Sequence, residues 1–206
     1  MGPRNTLTWF LSQLRDVVCR VSISFALMAG FMSTAQASSQ QLFRGAQRAR
    51  VVIEGHGARM LYVFVDPNCP YCHLLYGTVQ GFIRREGLTV HWIPVGIVSA
   101  SSPGKAAAIL EAHSPRAALA YNESHYSVTR DAGGINEIIP SRRGRAWVRA
   151  NDRALTAAPL DAVPTLVLKE ASGRILVTQG ALSALAFQKA LNTLPGAPVA
   201  HPPLGR

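Results

Sequence analysis

The chain has 206 residues, enough for one domain with a proper core and short of what two usually need. Hydrophobic residues make up 48% and charged residues 16%, so apolar burial can offset chain entropy and a disordered chain is excluded. The net charge of +10 comes from scattered basic residues with one local run, Arg142-Arg143-Gly144-Arg145, which reads as a solvated basic surface.

Residues 1–37 read as a signal peptide. Arg4, Arg15 and Arg20 accompany an apolar run from Val21 to Met32, and Ala35-Gln36-Ala37 has the A-x-A form of a cleavage site, with cleavage expected after Ala37. The run is shorter than the roughly 20 residues that span a bilayer, so export is expected rather than anchoring. The long basic leader also fits a later translation start. Cleavage removes Cys19 and leaves Cys69 and Cys72, so an oxidising compartment holds no thiol to mispair. A disulfide closing so short a loop removes little chain entropy, which favours a redox role over a staple. The mature chain carries 18 basic against 10 acidic residues. In an exported protein that surface suits acidic partners or anionic lipid, and no nucleic acid is expected.

Residues 38–50 are polar and basic, a loose lead-in or short helix. Val51-Val52-Ile53 and Leu61-Tyr62-Val63-Phe64-Val65 are β-rich runs separated by Gly55-His56-Gly57, and the second is apolar throughout, as a strand buried on both faces would be. It ends at Asp66-Pro67-Asn68, a turn or helix start. A helix beginning at Cys69, with Leu74, Leu75, Val79, Phe82 and Ile83 as its apolar stripe, runs to Gly87, and Leu88–Val95 reads as the next strand. This is a β-α-β unit.

Ser102-Pro103 and Ser114-Pro115 each resemble an N-cap followed by proline at the first helical position, predicting a helical hairpin over about 102–127. A further helix is expected near 143–154. Thr165–Leu168 and Arg174–Val177 read as a β-hairpin, Leu182–Leu191 as a last helix, and the Pro-rich stretch 195–206 as a disordered tail. The order β-α-β, helical block, β-β-α predicts an α/β, thioredoxin-like fold over residues 51–194, with a helical insertion at about 100–158.

If Cys69 is the N-cap of its helix, its sulfur takes the place of a capping oxygen, Pro70 at N1 sacrifices no useful donor, and the Tyr71 and Cys72 amides point at the sulfur. The site is built to stabilise an anion. Lowering a thiol pKa by one requires about 1.36 kcal/mol, whereas a helix dipole at a surface site supplies only about 0.3–1 kcal/mol. Direct N–H···S⁻ bonds and a hydrogen bond from the Cys72 thiol must therefore provide most of a large shift. Cys69, at the exposed helix end, would form mixed disulfides, and Cys72, one turn in, would resolve them.

Other readings of the same residues remain open. The pair suits an inert staple or half of a zinc site, for which His56, His73 and His91 would have to supply nitrogen ligands. Cys69-Pro70-Tyr71-Cys72-His73 also matches the C-x-x-C-H pattern of c-type haem attachment, although it follows a buried strand and opens a helix. On the favoured reading no metal and no cofactor beyond the redox-active pair is needed, and His73 is a helix-surface residue.

The run Val63-Phe64-Val65-Asp66-Pro67-Asn68-Cys69-Pro70-Tyr71-Cys72 resembles the active-site segment of the periplasmic DsbC/DsbG-type thiol:disulfide interchange proteins, with the Cys-Pro-Tyr-Cys of the DsbG members. Val95-Gly96-Ile97-Val98, the Ala106–Leu110 stretch and Val163-Pro164-Thr165 extend the resemblance over about residues 50–193. It implies a thioredoxin fold in which Cys69 is the nucleophile, Cys72 resolves, and Pro164 is cis beside them. It further implies that the backbone of Val163 pairs with a bound client chain. Val163 stands where the reductase-isomerases often have threonine and is more like the DsbA oxidases. The family's N-terminal dimerisation domain has no counterpart in the 13 residues between Ala37 and Val51, which predicts a monomer.

The expected protein is a periplasmic thiol–disulfide oxidoreductase acting on cysteine-containing exported clients and recycled by a membrane redox partner. The alternative is a thioredoxin-like binding or assembly factor whose redox activity is secondary.

Overall fold

The computed structural model describes residues 36–83, 85, 87–158 and 161–196. The expected signal segment with Cys19, and most of the expected tail, lie outside the described residues. The lead-in is helical: α1 is described over residues 36–48. It is followed by β1 (Val52–Gly55), β2 (Arg59–Val65), α2 (Pro70–Ile83), β3 (Leu88–Pro94), α3 (Ser102–Glu111), α4 (Pro115–Ser124), α5 (Arg142–Thr156), β4 (Thr165–Lys169), β5 (Ile175–Gln179) and α6 (Ala184–Leu191).

The five strands form one sheet in the order β1-β3-β2-β4-β5. β2 and β3 run parallel, with Leu61 opposite Val90 and Val63 opposite Trp92, and α2 makes the crossover between them. The other neighbours, β1 with β3, β2 with β4 and β4 with β5, are antiparallel. The helical insertion α3–α5 falls between β3 and β4, where the element order placed it.

The unbroken apolar run of β2 is explained by burial on both sides. Leu61, Val63 and Val65 share a core with Leu75, Val79 and Phe82 of α2 and Phe187 of α6. Tyr62 and Phe64 alternate to the other face, against Leu42 and Ala46 of α1 and Leu155 of α5. Each fully buried Leu or Phe contributes about 1.5–3 kcal/mol relative to exposure. The turn out of α2 places Gly87 at φ 57°, a conformation glycine adopts without Cβ strain.

Three helices begin on a capping serine: Ser114 accepts from the Ala117 amide, Ser141 from Gly144 and Ser183 from Ala186. α3 departs from the expected pattern. Its N-cap is Ser101, which makes no side-chain cap bond, and Ser102 is the first helical residue. Ser102 is fully buried and donates instead to the carboxylate of Asp66 at 2.7 Å, a tertiary bond that displaces the local cap.

Candidate active site

β2 delivers the chain to the site and α2 carries it away. The amide of Cys69 donates to the Asp66 carbonyl at 3.1 Å, and the Cys72 and His73 amides donate to the Cys69 carbonyl, which starts the helix. The Cys72 amide also donates to the sulfur of Cys69 at 3.2 Å. Cys69 thus occupies the capping position that the sequence assigned to it. Both cysteines are free thiols.

Cys69 is less open than expected, at 4% exposure, and Cys72 is buried at 1%. A second chain segment accounts for this: the thiol of Cys69 donates to the carbonyl of Val163 at 3.5 Å. The Val163–Pro164 peptide bond is cis, Pro164 is buried, and β4 starts at the next residue. The structure therefore gathers Cys69, Pro70, Tyr71, Cys72, Val163 and Pro164 at one end of the sheet. Of these, Tyr71 projects furthest, with 60% of its surface exposed.

The two sulfurs are electrostatically unequal. A hydrogen bond from the Cys72 thiol, followed by the Cys72 and Tyr71 amides, draws the Cys69 pKa below the ordinary thiol range, against burial and the Asp66 charge. Burial, then the hydrogen bond and charge of Cys69, push Cys72 well above that range. The thiolate form is favoured at Cys69 and disfavoured at Cys72.

The signs give a pH prediction. A depressed Cys69 pKa stabilises the folded reduced protein above the unfolded thiol pKa, and that contribution is lost as pH falls through the folded value. The raised pKa of Cys72 has the opposite sign: its contribution is full below the unfolded pKa and disappears as pH rises toward the folded value. Iodoacetamide should therefore alkylate Cys69 with an inflection below the free-thiol range of about 8.5, and should leave Cys72 unmodified. An inflection at the free-thiol value contradicts the assignment.

Beneath the cysteines lies a buried polar network that the sequence did not announce. Asp66 is 1% exposed, and its carboxylate accepts four hydrogen bonds. Oδ1 receives the Asn68 amide and the Ser102 hydroxyl, and Oδ2 receives the Ile97 and Val98 amides at 2.8 and 2.9 Å. Asn68, 2% exposed, reaches the hydroxyls of Ser99, Ser101 and Ser102 with its Nδ2. Its Oδ1 accepts from Lys105 Nζ at 2.9 Å and from the Gly133 amide. Lys105 also donates to the Gly133 carbonyl, and burial lowers its pKa. The segment Asp66-Pro67-Asn68, just ahead of Cys69, is thereby fixed to α3 and to the loop after α4.

A turn-forming Asp-Pro accounts for Asp66 in the sequence; the tie to Ile97, Val98 and Ser102 crosses 31 to 36 residues and has no local signal. Asn122 and Gly133 complete the network. Asn122 Nδ2 donates to the Pro67 carbonyl at 3.1 Å. A Cβ on Gly133 would overlap Asn122 Oδ1 and the Pro67 carbonyl oxygen. Gly133→Ala should therefore destabilise the protein by about 1–3 kcal/mol, the range for overpacking. A urea midpoint equal to that of the wild type would remove this account of the loop.

His73 is also more engaged than a surface histidine. It stacks on Tyr126 at 4.5 Å between ring centroids, and its Nδ1 lies 3.2 Å from Glu123 Oε2. Glu123 is buried, and desolvation raises its pKa. The other histidines considered as zinc donors lie elsewhere: His91 packs edge-on to Tyr62. Among the described residues no three or more His, Cys, Asp or Glu side chains come together as a metal site.

A family model described as a thioredoxin-like domain matches residues 46–195. The chain belongs to the thioredoxin-like domain family. It is similar to the thiol:disulfide interchange protein DsbG of Pseudomonas aeruginosa, with 26% identity over 149 residues, which is 69% of this chain and 56% of that protein. The chain thus spans little more than half the length of that relative. Solved structures share the fold. A Proteus mirabilis ScsC variant with a linker deletion superimposes with a TM-score of 0.64 at 14% identity, covering 93% of this chain and 97% of the other. A periplasmic thioredoxin-like protein from Salmonella enterica serovar Typhimurium gives a TM-score of 0.59 at 16% identity, over 73% and 94% of the two chains.

Proposed function

We propose that this thioredoxin-like protein is an exported, periplasmic thiol–disulfide oxidoreductase that acts on cysteine-containing protein clients. The observation that carries the reading is the position of Cys69 Sγ, 3.2 Å from the Cys72 amide at a helix N-terminus and 3.5 Å from the Val163 carbonyl beside Pro164. The similarity to DsbG supports the same chemistry. Among the described residues no helix is long and apolar enough to cross a membrane.

In the reductive direction the Cys69 thiolate attacks one sulfur of a client disulfide. The client S–S bond breaks, one client sulfur leaves as a thiolate and takes up a proton, and a Cys69–client disulfide forms. Cys72 then loses its proton and attacks Cys69 Sγ, and the second client sulfur leaves. Two electrons have passed to the client and the protein holds a Cys69–Cys72 disulfide, which a membrane redox partner would reduce. Run backwards, the same steps oxidise a client.

The assignments of role differ between the two thiols because their environments do. Cys69 has donors aimed at its sulfur, so it is the nucleophile and the better leaving group. Burial, then the hydrogen bond and charge of Cys69, oppose ionisation of Cys72, and the mixed disulfide removes that charge. Tyr71 and the backbone of Val163 flank the sulfur and would hold the client chain. The redox pair needs no further cofactor, and the chain acts as a monomer on this reading.

The test is turnover of insulin disulfides by the reduced protein in the presence of a thiol donor. Wild-type turnover that vanishes in Cys69→Ser supports the proposal. Equal rates in wild type and Cys69→Ser would refute it and leave a scaffold whose cysteines are incidental.

A further inference from the structure

The net charge of the described fold is not spread over it. Residues 36–50 and 141–156, which hold α1 and α5, carry eight arginines and one acidic residue, Asp152. All remaining positions between 36 and 196 carry nine basic and nine acidic residues, a neutral balance. The whole surplus therefore belongs to Arg44, Arg48 and Arg50 on one segment and Arg142, Arg143, Arg145, Arg149 and Arg153 on the other.

The fold makes these two segments one face. The Asn151 side chain donates to the Arg50 carbonyl and accepts from the Arg50 amide, both at 2.9 Å. An added Cβ at Gly45 would lie 3.1 Å from the Cβ of Ala154, and Leu42, Ala46 and Leu155 share a core. Arg50 lies over the Trp147 ring at 4.5 Å and Arg143 at 5.9 Å, so the indole joins the two groups of arginines. All eight arginines are exposed. Among the described residues none of the eight arginines forms a salt bridge with a carboxylate, as Arg174 does with Glu170. Leu42 and Ala46 of α1 and Leu155 of α5 pack on the sheet face opposite α2, while Trp147 and Val148 of α5 join the core on the α2 side.

We infer that the α1–α5 face docks the protein on an anionic phospholipid surface. Glu111, Glu137 and Asp152 lie beside these arginines, and against those three carboxylates the eight guanidinium groups keep a surplus of planar donors, which match phosphate oxygens in pairs. Lipid is favoured over nucleic acid because the exported protein meets the anionic headgroups of a membrane surface, to which a cluster of arginines is attracted. The choice of lipid over nucleic acid rests on the export reading; the existence of the basic face does not.

The experiment is co-sedimentation of the full chain with phosphatidylcholine vesicles with and without phosphatidylglycerol. The neutral vesicles measure binding that does not depend on lipid charge, and the excess on anionic vesicles measures the face. The expected result is a clear excess at low salt that disappears near 1 M salt, where the Debye length is about 3 Å. Arg142→Gln, Arg145→Gln, Arg149→Gln and Arg153→Gln together should weaken the excess by about tenfold or more, with insulin turnover and thermal unfolding unchanged. Should that variant fail to fold, Arg44→Gln with Arg48→Gln replaces it. No excess, or an excess that either soluble variant retains, overturns the inference. So does a duplex DNA that strips the protein from anionic vesicles at matched phosphate concentration. Cys69→Ser should bind vesicles like the wild type, which separates failure of this inference from failure of the redox reading.

Discussion

Cys69→Ser is expected to lower disulfide turnover by at least about a thousandfold, the scale seen when a nucleophile is removed from a unit that acts together. A hydroxyl at the same position meets the same donors, but its pKa is too far above neutrality for the Tyr71 and Cys72 amides to make it an anion. Cys72→Ser should behave differently. Cys69 keeps its capping position and its backbone donors and still attacks, but the mixed disulfide finds no second thiol. Client protein should therefore accumulate covalently on Cys72→Ser and be released by dithiothreitol. Because the Cys72 thiol is the largest contributor to the lowered pKa of Cys69, the alkylation inflection of this variant should also move upward. Trapping on Cys69→Ser instead would exchange the two roles.

The second large effect is expected at Asp66, which is remote from any client but anchors the segment that presents the cysteines. Asp66→Asn keeps the size and removes two acceptor positions. If its new amide nitrogen faces Ile97 and Val98, two backbone donors meet a donor. If it faces the other way, Ser102 can reverse its hydroxyl but the Asn68 amide cannot. Either arrangement leaves at least one buried donor unsatisfied, and a destabilisation of about 1–3 kcal/mol per lost partner follows. The carboxylate also raises the Cys69 pKa through its charge. The variant should thus combine a lower urea midpoint with an alkylation inflection shifted to lower pH. A loss of stability with an unshifted inflection would mean that the Asp66 charge does not reach the sulfur.

The fold was legible because its signals are local. The unbroken run Leu61–Val65 marked the central strand, Pro70 and Gly87 bracketed the crossover helix, and Ser114-Pro115 capped a helix as read. The capping position of Cys69 was legible for the same reason, since a Cys-x-x-Cys opening a helix brings its own donors. What surrounds the pair was not. Ser102 looked like a cap and became a partner of Asp66; Lys105 sits in an alanine-rich helix yet donates to Asn68 and Gly133. His73 looked like a surface residue and pairs with Glu123, 50 positions away. In each case one of the two partners belongs to the helical insertion, and hydrophobic periodicity carries no record of which polar groups meet inside. The burial of Cys69 by Val163, 94 residues on, belongs to the same class.

The basic face shows an intermediate case. The run Arg142-Arg143-Gly144-Arg145 is visible in the sequence as a cluster, but the arginines of residues 36–50 join it only because Asn151 and Trp147 tie the two segments together. A scattered charge in one dimension is a concentrated one on the surface.

The most direct test of the central claim, that Cys69 and Cys72 form a poised redox couple, is equilibration of the protein with glutathione buffers and quantification of the Cys69–Cys72 disulfide. The account predicts a reversible two-electron transition between about −120 and −270 mV, the span from strong oxidants to thioredoxin-like reductants, because stabilising the Cys69 thiolate favours the reduced form. A potential below about −300 mV, as for structural disulfides, or no disulfide at any buffer ratio, would contradict it.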